Sequence, residues 1–212
     1  MTTKTHEDAP QTEGHTIRWW APFYGVTTAL TGADKVHRTT IRLARLQPGE
    51  AVLDVGCGPG ELTLRAARKV GAEGRAVGID ASPEMISQAR KNAARKGREV
   101  DFRVAAIEAL PFADGEFDVA LSSFMLHHLP DDLKDRGLAE VHRVLKRGGR
   151  LIAVDLGRKG FWFWVISLLG HGHRLPEDYA EQLQARITAS GFENVELVDM
   201  KDNSAIYLRA TR

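Results

Sequence analysis

A glycine-rich stretch flanked by two carboxylates is the part of the sequence best suited to bind a ligand. Gly56, Gly58 and Gly60 directly follow a short apolar run, and Asp54 lies two residues before the first glycine. Glycines after a strand let the backbone turn sharply and come close to a ligand. Asp80 ends the next apolar run, about 20 residues on, where α/β nucleotide sites place a carboxylate for ribose hydroxyls. The spacing therefore predicts a nucleotide-type cofactor site.

The charges around this stretch narrow the choice of cofactor. The dinucleotide fingerprint would need a glycine at position 61, where the chain has Glu61. A negative side chain in the first helical turn also disfavours a pyrophosphate, which binds the positive end of a helix. Two carboxylates, Asp54 and Asp80, suit a cofactor with cationic groups, such as the sulfonium and ammonium groups of S-adenosylmethionine. The sequence favours this cofactor over NAD.

The same stretch resembles motif I of the class I S-adenosylmethionine-dependent methyltransferases, in Val52-Leu53-Asp54-Val55-Gly56-Cys57-Gly58-Pro59-Gly60. Residues 78–85 resemble their acidic ribose segment, and residues 110–112, 117–119 and 144–151 resemble their fourth and fifth strands. The similarity is closest to the small-molecule branch with menaquinone and ubiquinone C-methyltransferases and bacterial phospholipid N-methyltransferases. It implies a Rossmann-like α/β fold: a seven-stranded, mostly parallel sheet of order 3-2-1-4-5-7-6, with helices on both faces.

The resemblance implies S-adenosylmethionine as methyl donor, S-adenosylhomocysteine as product, and no metal. The residues that it assigns to the cofactor are Asp54, Gly56, Cys57, Gly58, Gly60, Asp80, Ala81, Met85, Ala106, Ile107 and Ser122. One position departs from the family pattern, because Ala106 stands where relatives often have the aspartate that accepts a hydrogen bond from the adenine amino group. The loss of a hydrogen bond of this kind costs about 1 to 2 kcal/mol. We expect weaker cofactor binding, or a backbone substitute.

Candidate catalytic residues lie where two predicted strands end. Methyl transfer is an in-line displacement that depends on alignment and exclusion of water, and an acceptor that loses a proton also benefits from a base. His127 and His128 follow the fourth strand, and Asp155 ends the fifth, at the edge where open α/β sheets bind ligands. The structural alternatives are a packing pair at a helix start and a solvated strand end.

Aromatic residues outside the motifs predict the acceptor side. Residues 161–169 are apolar on every helical face, which predicts either a buried lid helix or an interfacial helix lying on lipid. The candidate substrate-side residues are Tyr24, Trp19, Trp20, Phe161 and Trp164. We expect a small, lipophilic or membrane-presented acceptor, either a quinone precursor methylated on carbon or a phospholipid methylated on nitrogen.

Alternating short β-type runs and helical patterns must position these residues, and they are typical of a parallel sheet covered on both faces. Strands are predicted at residues 51–55, 75–79, 100–104, 117–122, 150–155, 195–200 and 205–208, with the last two paired. Helices are predicted at residues 61–70, 83–96, 131–147 and 177–190. Residues 16–46 predict two helices hinged near Gly32. The predicted organisation is a disordered tail (1–13), a helical cap (14–46) and a methyltransferase domain (47–212).

Length, charge and cysteine content limit the number of domains and the expected location of the protein. The chain has 212 residues, the length of one α/β domain, and its net charge of +1 gives no general attraction to nucleic acid. Cys57 is its one cysteine, and the first ten residues are polar, unlike a secretory signal. The longest apolar run is about half of the ~20 residues that span a bilayer. We expect a cytoplasmic protein, with or without contact to the inner face of a membrane.

Other functions stay open at this point. A nucleic-acid or protein methyltransferase has the same fold, but Ser122-Ser123-Phe124-Met125 replaces the Asn/Asp-Pro-Pro-Tyr type of motif. Arsenite methyltransferases resemble this branch but use several cysteines. A non-catalytic module that binds S-adenosylmethionine and interacts with a partner is compatible with the departure at Ala106. The sequence determines neither the acceptor atom nor the oligomeric state.

Overall fold

A seven-stranded sheet forms the centre of the chain, which a computed structural model describes over residues 33–157, 176–199 and 205–212. The strands are β1 (Ala51–Val55), β2 (Arg75–Asp80), β3 (Asp101–Val104), β4 (Phe117–Ser123), β5 (Leu145–Leu156), β6 (Glu193–Leu197) and β7 (Ala205–Thr211). Their order is β3-β2-β1-β4-β5-β7-β6, and β7 runs antiparallel to both of its neighbours. The other pairs are parallel, so the predicted fold class and strand order are confirmed.

Helices cover both faces of the sheet. They are α1 (Ala33–Ala44), α2 (Glu61–Val70), α3 (Pro83–Arg95), α4 (Asp131–Val144) and α5 (Tyr179–Ala189), with a 3-10 turn at Leu126–His128. Successive strand residues point to opposite faces. Val52 accordingly packs in one buried cluster with residues of α1 and α2, and Leu53 packs in another with residues of α4 and α5.

Local sequence signals explain how the helices around the site begin. Ser82 caps α3, because its hydroxyl accepts a hydrogen bond from the Met85 amide at 3.2 Å and Pro83 occupies the first helical position. Helix α2 follows Gly60, which has a φ of 82°. Each helix follows the carboxyl end of a strand after a short loop, as the sequence predicts.

The boundary between α4 and β5 differs from the prediction, which carried the helix to position 147. The helix ends at Val144, and β5 begins at Leu145, which pairs with Phe117. The carbonyls of Arg143 and Val144 accept hydrogen bonds from the amides of Gly115 and Glu116, at 3.0 and 2.8 Å. These tertiary hydrogen bonds occupy carbonyls near the helix end, and strand pairing overrides the helical propensity of the following residues.

The predicted N-terminal cap is described only in its second helix. This helix is α1, whose Val36, Ile41 and Ala44 pack on the sheet. The first predicted helix, with Trp19, Trp20 and Tyr24, and the apolar segment with Phe161 and Trp164 lie outside the described residues. Within the described ranges, no helix is long and apolar enough to cross a membrane.

Candidate active site

The glycine-rich loop joins β1 to α2 in a backbone conformation that favours glycine. Gly56, Gly58 and Gly60 have φ values of 72°, 51° and 82°. A Cβ atom at Gly56 would overlap the side chain of Met125, and one at Gly60 would lie 2.7 Å from Cζ of Phe102. At Gly58, a Cβ atom would meet nothing within 4 Å. Packing therefore fills the space around the first and third glycines and leaves space at the second.

Asp80 closes this loop from the end of β2. Its Oδ2 atom accepts a hydrogen bond from the Gly58 amide at 2.9 Å, and its Oδ1 atom accepts one from the Ser82 amide at 2.9 Å. Burial raises the pKa of Asp80, while these two backbone hydrogen bonds oppose the shift. Each carboxylate oxygen can accept a second hydrogen bond, which leaves capacity for the hydroxyls of a ribose.

Asp54 lies buried beneath the same loop. Its Oδ2 atom accepts a hydrogen bond from the Thr63 hydroxyl at 2.6 Å. Burial raises the pKa of Asp54 to about 7, and the nearby Asp80 carboxylate also raises it, against the hydrogen bond from Thr63. The donors that contact Asp54 and Asp80 are neutral, so a cationic ligand at this position would stabilise both carboxylates in their ionised form.

Two buried hydroxyls lie at the end of β4. The Oγ atoms of Ser122 and Ser123 are buried and have no hydrogen-bond partner among the described residues. Ser122 lies in register with Val55 of β1 and Ala153 of β5, at the carboxyl end of the central strands. Because successive strand residues point to opposite faces, at most one of these two hydroxyls can face the glycine loop. The open Gly58 and the two carboxylates fit S-adenosylmethionine.

The other predicted cofactor residues have mostly apolar side chains. Met85 and Ala106 are buried, and Ala81 is partly exposed. Ile107 is also buried, and its side chain packs against Gly137 of α4. The Cys57 thiol lies in an apolar cluster, where burial and then the carboxylate of Asp54 raise its pKa well above the ordinary value. The buried thiol is therefore held in the neutral form.

The turn after β4 packs directly on the glycine loop. Phe124 has a φ of 55°, an unusual value for an aromatic residue, and its amide donates a hydrogen bond to the Val154 carbonyl at 2.8 Å. The next residue, Met125, covers Gly56. Backbone strain of this kind is frequent at functional sites. Sequence reasoning noted both residues only as part of the stretch that replaces the Asn/Asp-Pro-Pro-Tyr motif, and it assigned them no role at the site.

The structure brings His127 and Asp155 together at the carboxyl edge of the sheet. The His127 amide donates a hydrogen bond to Asp155 Oδ2 at 2.9 Å, and Nδ1 of the same histidine contacts Oδ1. Asp155 is fully buried and also accepts hydrogen bonds from the Leu156 amide at 2.8 Å and the Tyr179 hydroxyl at 2.9 Å. The His128 ring lies 3.9 Å from the His127 ring, measured between centroids. Asp155 therefore lies in a buried hydrogen-bonded cluster, and the alternative interpretation of Asp155 as a solvated strand end is wrong.

The cluster favours one protonation pattern. Burial raises the pKa of Asp155, but His127 and the other hydrogen-bond donors outweigh it, and the pKa lies below its ordinary value. An ionised Asp155 accepts a hydrogen bond from Nδ1 of His127, which leaves Nε2 as the ring nitrogen that can face a ligand. This arrangement suits a general base. Sequence reasoning missed Tyr179, because only the tertiary fold brings it to Asp155.

These elements define a class of protein, an α/β domain with a nucleoside-cofactor site and a histidine–carboxylate pair at the same sheet edge. Residues 52–149 match the family model described as a methyltransferase domain. The chain is 30% identical to the ubiquinone/menaquinone biosynthesis C-methyltransferase UbiE of Hydrogenovibrio crunogenus, with 78% of this chain and 74% of that protein covered. The chain therefore belongs to the class I S-adenosylmethionine-dependent methyltransferases.

Two further comparisons show how widely this domain occurs. The chain is 34% identical to an arsenite methyltransferase of Halobacterium salinarum, with 78% of this chain covered but only 42% of the relative's length. An S-adenosylmethionine-dependent methyltransferase from Aquifex aeolicus has the same fold, with a TM-score of 0.65 at 19% identity, over 87% of this chain and 92% of the other.

In the described part of the chain, no three His, Cys, Asp or Glu residues are grouped as metal ligands.

Proposed function

We propose that the protein transfers a methyl group from S-adenosylmethionine to a small, lipophilic acceptor with an ionisable group. The observation that carries this proposal is the loop closed by the Gly58–Asp80 hydrogen bond, since its carboxylates and open backbone suit a cationic nucleoside. The methyltransferase relatives and the domain match support the reaction type.

Each part of the site has a distinct role in this proposal. Asp80 accepts hydrogen bonds from the ribose hydroxyls, and Asp54 stabilises the positive charge of the methionine end. Met85 and Ala81 contact the adenine, and Ala106 offers its backbone where relatives have a carboxylate. His127 accepts the proton that the acceptor loses, and Asp155 stabilises the resulting imidazolium, because the carboxylate is ionised and buried.

The class of acceptor follows from two kinds of support. The aromatic cap residues and the segment 161–169 are apolar in the sequence, which favours a lipophilic partner. The relative from Hydrogenovibrio crunogenus, of whose length this chain covers 74%, is named for ubiquinone and menaquinone biosynthesis. A quinol precursor has an acidic phenol whose deprotonation activates the ring carbon, so it would use the His127 base directly. We therefore favour carbon methylation of a quinol precursor over nitrogen methylation of a phospholipid.

Arsenite is not favoured as the acceptor, despite the relative from Halobacterium salinarum. Thiolates are the soft ligands that capture soft metal and metalloid ions. The sequence has one cysteine, Cys57, and its thiol is buried in an apolar cluster with a raised pKa. This single buried thiol does not provide the several thiolates that arsenite binding requires.

Calorimetry and a methyl-transfer assay test the proposal in sequence. We expect S-adenosylmethionine and S-adenosylhomocysteine to bind, and Asp80→Ala to weaken both at least tenfold. Radiolabelled methyl transfer is then measured with a hydroxynaphthoquinol, with phosphatidylethanolamine vesicles and with an oligonucleotide. His127→Ala should lower kcat on the quinol about 100-fold and leave cofactor affinity within twofold. Cofactor binding without transfer to any acceptor would instead support a non-catalytic module.

Membrane association is tested separately. If the acceptor is presented at the inner face of a membrane, the protein should sediment with anionic vesicles, and salt should release it. The control is a variant with Phe161 and Trp164 both changed to serine, which should remain in the supernatant. Absence of sedimentation with every vesicle composition would leave an acceptor that diffuses to an enclosed pocket.

A further inference from the structure

Tyr179 begins α5 and reaches across to the strand that carries Asp155. Its hydroxyl donates a hydrogen bond to Asp155 Oδ2 at 2.9 Å, and its side chain is buried. The two residues are 24 positions apart in sequence. This hydrogen bond is a direct polar contact between α5 and the proposed base assembly.

Among the described residues, four donors contact the Asp155 carboxylate, and they divide evenly between its oxygens. Oδ1 receives Nδ1 of His127 and the Leu156 amide, and Oδ2 receives the His127 amide and the Tyr179 hydroxyl. Each oxygen therefore has one backbone and one side-chain donor. Four hydrogen bonds fill the accepting capacity of a carboxylate. Loss of the Tyr179 hydroxyl would leave Oδ2 buried with a single donor.

Burial and the charge on Asp155 raise the pKa of Tyr179 far above its ordinary value, so its hydroxyl remains a donor at every working pH. Tyr179 therefore cannot serve as the base itself. It can act on the reaction only through the carboxylate that it contacts.

We propose that Tyr179 is a positioning residue, which fixes the orientation and charge of Asp155 and thereby sets the proton affinity of His127 Nε2. This inference rests on the proposed function, in which His127 accepts a proton from the acceptor. The hydroxyl withdraws charge from Asp155, so it weakens the attraction between Asp155 and an imidazolium. Removing it should make His127 easier to protonate.

Other titratable and charged side chains lie near His127, Asp155 and Tyr179, and the test must leave their charges unchanged. The His128 ring lies against the His127 ring at an interplanar angle of 45°, and Lys134 Nζ lies 5.7 Å from the centroid of the Tyr179 ring. Lys134 forms an ion pair with Asp131 at 3.0 Å, and Arg186 pairs with the same carboxylate at 2.6 Å. A change confined to the Tyr179 hydroxyl alters none of these charges.

Nitrogen-15 NMR of the histidine rings, in the whole 212-residue chain without acceptor, tests the inference independently of turnover. The His127 resonances are assigned by their loss in His127→Gln. We expect Tyr179→Phe to raise the titration midpoint of His127 by about 0.5 to 1 pH unit. The matched control is Tyr207→Phe, a buried tyrosine that packs with the opposite face of the sheet and should leave the midpoint unchanged.

A second variant excludes a packing defect as the cause. Fluorotyrosine placed at position 179 keeps the ring and strengthens the donor, so the midpoint should move down where Tyr179→Phe moves it up. In the methyl-transfer assay, the acid limb of the kcat profile should follow the same two directions. If both variants fold and neither changes the titration midpoint of His127, the inference is overturned. The expected NMR shifts without methyl transfer to any acceptor would instead uphold the positioning role and reject the proposed function.

Discussion

The Thr63 hydroxyl donates a 2.6 Å hydrogen bond to Asp54 Oδ2 beneath the glycine loop, where both side chains are buried. Thr63 lies in the first turn of α2, so this bond links the helix to the end of β1. Because Asp54 has a neutral donor and a pKa raised by burial to about 7, its charge depends on what binds above it. The first prediction concerns this dependence.

Affinity for S-adenosylmethionine should rise with pH between 6 and 7.5. Below pH 7 Asp54 is largely protonated, and a cationic cofactor must displace that proton to gain the carboxylate charge. The slope should approach tenfold per pH unit at the acid end. Calorimetry in buffers of different ionisation enthalpy should detect up to one proton released on binding.

Asp54→Asn provides the control for this measurement. The variant should bind the cofactor more weakly and with a flat pH profile over the same range. A wild-type affinity that is constant from pH 6 to 7.5 would show that the cofactor does not change the ionisation of Asp54.

Alanine at two neighbouring glycines should separate packing from ligand contact. Gly56→Ala combines a left-handed backbone with overlap against Met125, so we expect a loss of about 2–4 kcal/mol in the free energy of unfolding. Gly58→Ala meets open space and should lose only about 1 kcal/mol from backbone strain. Urea unfolding measures both.

Cofactor affinity gives the complementary result for this pair. Gly58→Ala should weaken S-adenosylhomocysteine binding at least tenfold, because its methyl group occupies space that the ligand approaches. Equal destabilisation of the two variants, with unchanged affinity in Gly58→Ala, would argue against a ligand at this loop.

Partly buried His37 on α1 should reduce stability in acid. Burial, and then the charge of Arg65, lower the pKa of His37 from 6.5 to about 4. Between these values the unfolded chain binds more protons than the folded one, so the free energy of unfolding should rise with pH, by up to about 1.2 kcal/mol per pH unit. Urea titrations at half-unit steps from pH 4 to 6.5 measure this slope.

His37→Gln isolates the contribution, because Asp54 acts in the opposite sense over the same range. The raised pKa of Asp54 means that the folded chain binds the extra proton there, which stabilises the fold in acid. The difference between wild type and His37→Gln should therefore show the positive slope of His37 alone. Parallel pH profiles for the two proteins would contradict the prediction.

Arg150 should account for much of the attachment of α1 to the sheet. Its guanidinium forms two 2.8 Å hydrogen bonds to Glu50 and donates to the Ala44 carbonyl at 2.6 Å, at the end of α1. Lysine cannot reproduce this planar set of donors, so Arg150→Lys should lower the free energy of unfolding by about 1–2 kcal/mol.

The matched control is Arg136→Lys, which changes an exposed ion pair with Asp132 in α4. This substitution should change the free energy of unfolding, measured in urea, by less than about 0.5 kcal/mol. Similar effects of the two substitutions would mean that the guanidinium geometry at Arg150 contributes nothing specific.

Sequence patterns predicted the elements that local signals define. The glycine loop, the cap at Ser82 and the carboxylate at Asp80 follow from residue types at fixed spacing, and the strand order came from the family resemblance. The helix end at Val144 was missed, because tertiary hydrogen bonds from Gly115 and Glu116 determine it. Strand β6 begins at Glu193, two residues before its predicted start, since pairing with β7 overrides its weak alternation.

The candidate site also contains residues that the sequence predicted and one that only the tertiary fold brings to it. Sequence placed His127 and Asp155 at one edge, and the structure brings them into contact, but their catalytic role remains a prediction. Tyr179 could be predicted only as part of an apolar helical face, because its hydroxyl finds Asp155 through folding alone. The orientation of a side chain across 24 residues has no local sequence signal.

The packing of Met125 against Gly56 has a consequence for altering acceptor preference by mutation. The glycine loop and the turn after β4 share an atomic contact, so grafting a foreign turn after β4 would also reshape the glycine loop. Chimeras that exchange both segments as one unit should tolerate new acceptors better than those that exchange the turn alone.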